Sequence, residues 1–138
     1  MRYLSIILMT IVLSACQNAS NKSQIEEKSE TTLNGKLKFI RKDTTTTTPA
    51  SKVLTCTFEA YNTGTDSLEI LEKIASCDCS SIELNKQTIA PNEPLFVTVK
   101  INTEGKAIGK HRTTVLLKTN GMRSFYDLAI HYSLVAKN

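Results

Sequence analysis

From Gly35 to the C-terminus, apolar and polar residues alternate along the chain. This period of two is typical of β-strands that bury one face, whereas a helix repeats every 3.6 residues. Three runs carry the alternation most clearly and therefore predict strands. The residues on their apolar faces are Leu54, Cys56, Phe58 and Ala60; Leu95, Val97, Val99 and Ile101; and Leu128, Ile130, Tyr132 and Leu134.

Shorter segments predict further strands. Residues 37–39, 68–75 and 82–84 show the same alternation, and residues 110–119 are rich in β-branched side chains. For residues 66–75 a helix is an alternative, because Leu, Glu and Lys favour helices. The tight turn before this segment and its strand neighbours favour a strand.

Turn signals separate these strands. Residues 62–66 and 89–94 contain the Gly, Asn, Asp and Pro that turns require, and Asn120 followed by Gly121 is typical of a hairpin. Residues 43–52 are rich in threonine, contain a proline and are predicted to form a loop. The pattern therefore predicts an all-β protein, an Ig-like antiparallel β-sandwich of about seven strands. A chain of 138 residues has room for one such domain.

The N-terminus predicts export and a lipid anchor. Arg2 precedes an apolar run over residues 4–13, about half the length that a membrane-spanning helix needs. The Leu-Ser-Ala-Cys motif that ends at Cys16 resembles the lipobox of bacterial lipoproteins. This resemblance implies cleavage of a signal peptide, residues 1–15, and acylation of Cys16. The lipid would hold the protein to a membrane.

The residues behind the anchor predict its destination and its reach. Gln17 stands where an Asp would resemble the signal for retention at the inner membrane, which favours the outer membrane. Residues 16–34 are polar and predict a disordered tether. Residues 35–138 are then the sandwich domain.

Charge and motifs argue against several functions. The formal net charge of +4 is small and the two signs are interspersed, so we expect no nucleic-acid partner. The sequence has no serine nucleophile elbow, no His-Glu-x-x-His zinc motif and no phosphate-binding loop. We therefore predict that the protein is not an enzyme and uses no cofactor.

Several motifs together resemble one family. They are its aromatic-x-x-x-Asn-Thr-Gly turn at residues 58–64, its Ser-Cys-Gly-Cys-Thr corner at 76–80, its Ile-x-Pro-Gly-Glu turn at 89–93, and its late Thr-Asn at Thr119 and Asn120. Over about residues 54–135 the chain resembles the domain of unknown function 1573, an Ig-like group similar to major sperm protein and ASH sandwiches.

The resemblance implies that fold and an envelope location, but no activity. Asp78 and Asn92 stand where the family has glycines. Both residue types tolerate a left-handed backbone better than most, so the two turns are expected to survive.

The cysteines other than Cys16 leave three interpretations open. The first interpretation is a structural disulfide from Cys56 to Cys77 or Cys79, because Cys56 lies on the inward face of its strand. This bond requires that the two Cα atoms approach within ~7 Å. Thiols that remain free or buried are the second.

The third interpretation is a functional use of Cys77 and Cys79. Two thiolates one residue apart suit Cu(I), which makes this pair the candidate metal ligands, although nothing places His111 or His131 beside them. The same pair, closed into a small disulfide ring, would form an oxidising couple.

We predict a membrane-anchored bacterial lipoprotein whose Ig-like domain is a non-catalytic binding module in the cell envelope. Its partner would be an envelope protein or glycan, bound by loops or an edge strand. One alternative is a thiol-redox or copper-handling protein that uses Cys77 and Cys79. Another is a structural subunit of an envelope complex.

Overall fold

The computed structural model describes residues 34–50 and 52–136, and within them the chain forms nine β-strands. Their bounds are β1 Leu37–Phe39, β2 Asp43–Pro49, β3 Val53–Asn62, β4 Leu68–Ala75, β5 Ser80–Leu84, β6 Thr88–Ile89, β7 Pro94–Asn102, β8 Gly109–Thr119 and β9 Phe125–Val135. No helix in these ranges is long and apolar enough to cross a membrane. The predicted signal peptide, Cys16 and the tether up to residue 33 lie outside the described residues.

The strands form two sheets. One has four strands in the order β1-β3-β7-β5, and the other has five in the order β2-β9-β8-β4-β6. Every pair is antiparallel except β2 and β9, which run parallel. The predicted all-β sandwich is confirmed, and the prediction of a strand rather than a helix over β4 is confirmed with it.

One hydrophobic cluster lies between the two sheets. The predicted inward faces of β7 and β9 are buried along their whole length, and Phe58 of β3 is fully inaccessible. Burying a side chain of that size stabilises the fold by about 2–3 kcal/mol. Tyr126 of β9 also connects the two sheets, because its hydroxyl accepts a hydrogen bond from the Leu37 N–H of β1 at 2.9 Å.

The threonine-rich segment is a strand, so the predicted loop over residues 43–52 is wrong. Residues of β2 pair in parallel with β9, from Asp43 beside Ala129 to Pro49 beside Val135. Threonine is β-branched and favours extended backbone, but five threonines in a row give no apolar alternation to detect. Pro49 ends this edge strand, a position where a missing N–H is tolerated.

The turn before β7 is stabilised by the backbone conformation of Asn92 and by the side chain of Glu93. Asn92 has a φ of 65°, the left-handed conformation that the replaced glycine would adopt freely. Glu93 closes the turn, since its Oε2 accepts hydrogen bonds from Lys86 Nζ at 2.9 Å and from the Ala90 N–H at 3.1 Å. These bonds lower the pKa of the Glu93 carboxyl. Asp78, the other replaced glycine, has no positive φ, so its corner needs no left-handed residue.

Candidate functional site

The Cys-x-Cys corner carries the chain from one sheet to the other. It leaves β4, which belongs to the five-stranded sheet, and enters β5, which belongs to the four-stranded sheet. Ser76 is held to β8 by two bonds, from its N–H to Thr114 O and from the Thr114 N–H to its Oγ, each 2.9 Å long. At the other end Cys79 O accepts the Asn102 N–H of β7 at 2.8 Å. Both ends of the corner are therefore fixed by the sheets.

A disulfide joins Cys77 to Cys79, whose Cα atoms are 5.1 Å apart, and Cys56 is a free thiol. The predicted bridge from Cys56 to Cys77 or Cys79 is therefore wrong. The sheet order explains why, because Cys56 faces Val99 from one side of β7 while Cys79 lies on the other side of that strand. Two strand spacings, about 9.5 Å, separate them, which is beyond the reach of a disulfide.

Two donors surround the sulfur of Cys77. The Cys79 N–H donates to Cys77 Sγ at 3.1 Å, and Lys106 Nζ lies 3.7 Å from the same atom. Lys106 comes from the loop between β7 and β8, where Gly105 has a φ of 72°. The sequence contains no signal for this contact, because Lys106 is 29 residues from Cys77.

The remaining candidate residues lie apart from the corner. Cys56 is half-buried, and burial raises the pKa of its thiol while the positive charge of Arg41 opposes the shift. His111 stacks on Tyr132, and its Nε2 lies 2.8 Å from Ala107 O. Within the described ranges, no three His, Cys, Asp or Glu side chains are grouped to hold a metal ion. A raised pKa makes Cys56 a poor nucleophile and a poor metal ligand.

The strand that follows the corner has an open edge. Among the described residues β5 pairs only with β7. The Asn85 N–H bonds to Phe96 O at 3.2 Å and Cys79 O accepts from Asn102, so the odd-numbered residues face β7. The backbone groups of Ser80, Ile82 and Leu84 therefore point away from the sheet, and of these the Ser80 N–H already donates to Cys77 O at 3.0 Å.

A lysine covers part of this edge. Lys73 of β4 donates from Nζ to Ile82 O at 3.0 Å. The carbonyl is thus satisfied by a flexible side chain rather than by a strand. Lysines near an exposed edge are a common protection against unwanted strand pairing.

A shallow groove runs beside the β5 edge. Its walls include Leu71 and Lys73 on one side and Leu84 and Gln87 on the other. An irregularity in the pairing of β4 with β8 falls between Ile70 and Glu72 and leaves Leu71 46% exposed. The groove therefore places the apolar side chains of Leu71 and Leu84 among polar ones, next to backbone groups of β5 that pair with no strand among the described residues.

The fold and the corner together define an Ig-like β-sandwich with a cysteine pair at a sheet crossover. The family model described as "Protein of unknown function (DUF1573)" matches residues 37–133, and the chain belongs to that family. The resemblance read from the motifs is thereby confirmed. No curated protein matches the sequence.

Solved structures resemble the domain in fold. A protein of unknown function from Porphyromonas gingivalis W83 has a TM-score of 0.63 at 8% identity, over 74% of this chain and 48% of its own. The VesB protease of Vibrio cholerae has a TM-score of 0.57 at 14% identity, over 70% of this chain and 31% of its own. The ASH / PapD-like domain 7 of human CEP192 has a TM-score of 0.57 at 10% identity, over 75% of this chain and 87% of its own.

These likenesses concern the fold alone. This chain spans about half or less of the length of the first two proteins. At such identities the likeness to a protease supports no enzymatic activity.

Proposed function

We propose that the protein is a lipid-anchored lipoprotein of the bacterial envelope whose sandwich binds an extended segment of an envelope protein along β5. The observation that carries this proposal is the open edge, where the backbone of Ile82 and Leu84 points outward beside a groove that contains Leu71. A strand added there gains main-chain hydrogen bonds, and its alternate side chains fill the groove.

The edge is short and partly covered, which limits unwanted strand pairing. β5 has five residues, and Lys73 already occupies the carbonyl of Ile82. An incoming strand displaces this lysine and replaces one hydrogen bond with several. Each backbone bond contributes about 0.5–1.5 kcal/mol, so a few of them, together with the burial of Leu71, give measurable affinity.

The binding step is tested by photo-crosslinking in living cells. A benzophenone amino acid is placed in the full-length chain at Glu83 of β5, or at Thr47 of β2 as the control on the other sheet. We expect one defined adduct from position 83 and a yield about tenfold lower from position 47, because a strand bound at β5 lies far from β2.

A second pair of variants isolates the backbone contribution. Ile82→Pro removes the outward N–H and keeps the β5–β7 bonds, whereas Ile82→Ala removes the same side chain and keeps the N–H. We expect the yield of the position-83 adduct to be about tenfold lower in Ile82→Pro than in Ile82→Ala. Loss of one hydrogen bond to the partner weakens binding by about 1.4 kcal/mol, which corresponds to a factor of about ten. Equal yields in the two variants, or equal yields at positions 47 and 83, would contradict binding at the edge and favour a subunit packed on all sides.

The anchor has its own test. Mass spectrometry of the mature protein is expected to find an acylated N-terminal peptide that starts at Cys16. The Cys16→Ser variant is expected to leave the membrane fraction, since acyl chains supply the attachment. An unmodified Cys16 in a membrane-bound protein would refute the lipid anchor without affecting the β5 proposal.

A further inference from the structure

The Cys77–Cys79 disulfide contributes little to holding the fold together. The bond spans two residues, so it closes a very short loop and removes little entropy from the unfolded chain. Ser76 and Cys79 are already fixed to β8 and β7 by backbone hydrogen bonds. Reduction of this bond therefore leaves the attachment of the corner to both sheets in place.

The two sulfurs have different surroundings. Lys106 Nζ and the Cys79 N–H both approach Cys77 Sγ, and both favour a negative charge on that atom. Cys79 packs against the hydrophobic cluster, and its Sγ lies 3.7 Å from Ser80 Oγ. Asp78 is the one acidic residue within the corner and is exposed to solvent, which screens its charge. A thiolate is thus stabilised at Cys77 more than at Cys79.

We propose that Cys77 and Cys79 form a dithiol–disulfide exchange site in which Cys77 makes the mixed disulfide and Lys106 stabilises its thiolate. The co-reactant is a protein or small-molecule dithiol. This site is independent of binding at the β5 edge.

In the oxidised protein the exchange takes place in two steps. A thiolate of the external dithiol attacks Cys77 Sγ, the Cys77–Cys79 bond breaks, and the electron pair passes to Cys79 Sγ, which takes up a proton. The second external thiolate then attacks its own partner sulfur in the mixed disulfide, and Cys77 leaves as a thiolate beside Lys106. The external dithiol becomes a disulfide, and the protein gains two electrons.

The unmodified full-length chain provides the first test. The protein is equilibrated with reduced and oxidised dithiothreitol at set ratios, its free thiols are alkylated, and it is digested with trypsin. Cys77 and Cys79 fall in one peptide, residues 74–86, and Cys56 falls in another, residues 53–73, so Cys56 serves as an internal control. We expect peptide 74–86 to gain two alkyl groups together along a single redox transition, with circular dichroism unchanged. A peptide that resists reduction until the protein unfolds would overturn the proposal.

The role of Lys106 is tested in the Cys79→Ser background, where Cys77 is left as a free thiol. The rate at which iodoacetamide alkylates Cys77 is measured as a function of pH in the Cys79→Ser protein. The measurement is repeated after adding Lys106→Gln, Lys106→Arg or Lys38→Gln to that protein. We expect an apparent pKa below the ~8.5 of a free cysteine.

Removing Lys106 is expected to raise that apparent pKa and to slow alkylation at pH 7 several-fold, because the neighbouring positive charge is lost. Lys106→Arg is expected to restore the profile, and Lys38→Gln, which removes an exposed charge from β1, to leave it unchanged. An identical pH profile with and without Lys106 would overturn the assignment of Lys106.

Discussion

Replacing Asn62 with alanine is expected to lower the free energy of unfolding by about 4 kcal/mol. Asn62 is fully buried at the end of β3, and its side chain makes four hydrogen bonds. Its Oδ1 accepts from the N–H groups of Lys36 and Gly64 at 3.1 and 3.0 Å. Its Nδ2 donates to Asp66 O and Ile89 O at 2.8 and 2.9 Å. Alanine leaves all four backbone partners without this side chain, at about 1 kcal/mol each.

Two further variants make the Asn62 prediction specific. Asn102→Ala is the control, because Asn102 is exposed and its Oδ1 accepts one bond, from the Glu104 N–H. We expect a loss below about 1 kcal/mol for that variant. At low pH the neutral carboxyl of Asn62→Asp keeps the acceptor oxygen and offers one O–H donor where the amide offered two N–H donors. The stability of this variant at low pH should therefore lie between those of Asn62→Ala and wild type. Urea unfolding measures the free energy of unfolding of all three variants. A value for Asn62→Ala within about 1 kcal/mol of wild type would contradict the stabilising role given to the four hydrogen bonds of Asn62.

Gly121→Ala is expected to destabilise the fold by about 3 kcal/mol, at the upper end of the cost of overpacking. A Cβ at position 121 would overlap Gly35 O and come within 2.7 Å of Leu68 Cδ1. The Met122 N–H donates to the same Gly35 carbonyl at 3.0 Å. The backbone at Gly35 therefore cannot move away from position 121 without losing this hydrogen bond. The result expected is a thermal unfolding midpoint lower by at least about 10 °C.

Gly105→Ala is the matched control for Gly121→Ala. A Cβ at Gly105 meets nothing within 4 Å, but the φ of 72° is strained for alanine. That strain costs about 1–2 kcal/mol, so Gly105→Ala should be the milder variant. A greater loss in Gly105→Ala than in Gly121→Ala would show that the packing around Gly121 is looser than its contacts imply.

The same glycine shows what the sequence can and cannot predict. Asn120 followed by Gly121 predicts a hairpin, and β8 and β9 do form one. The expected reason is a left-handed glycine, yet Gly121 has no positive φ and the loop spans residues 120–124. Gly121 is needed instead because Gly35 passes close to it, a contact that arises only when the sheets have assembled.

Local alternation predicts strands well where one face is buried, as in β7 and β9. It fails for β2, whose threonines half-bury a face without any apolar residue. The strand order is a property of the whole sandwich and is not encoded in any one segment. For this reason the separation of Cys56 from Cys79, the approach of Lys106 to Cys77 and the open edge of β5 could not be predicted from spacing.

Backbone amide exchange along β5 tests the proposed binding edge most directly. In the uniformly labelled protein, the amides of Ser81 and Glu83 face β7, whereas those of Ile82 and Leu84 face outward. We predict that Ile82 and Leu84 exchange at least about tenfold faster than Ser81 and Glu83, and that a bound envelope partner abolishes the difference. Slow exchange at all four amides in the isolated protein would contradict the account, because it would mean that another strand already covers this edge.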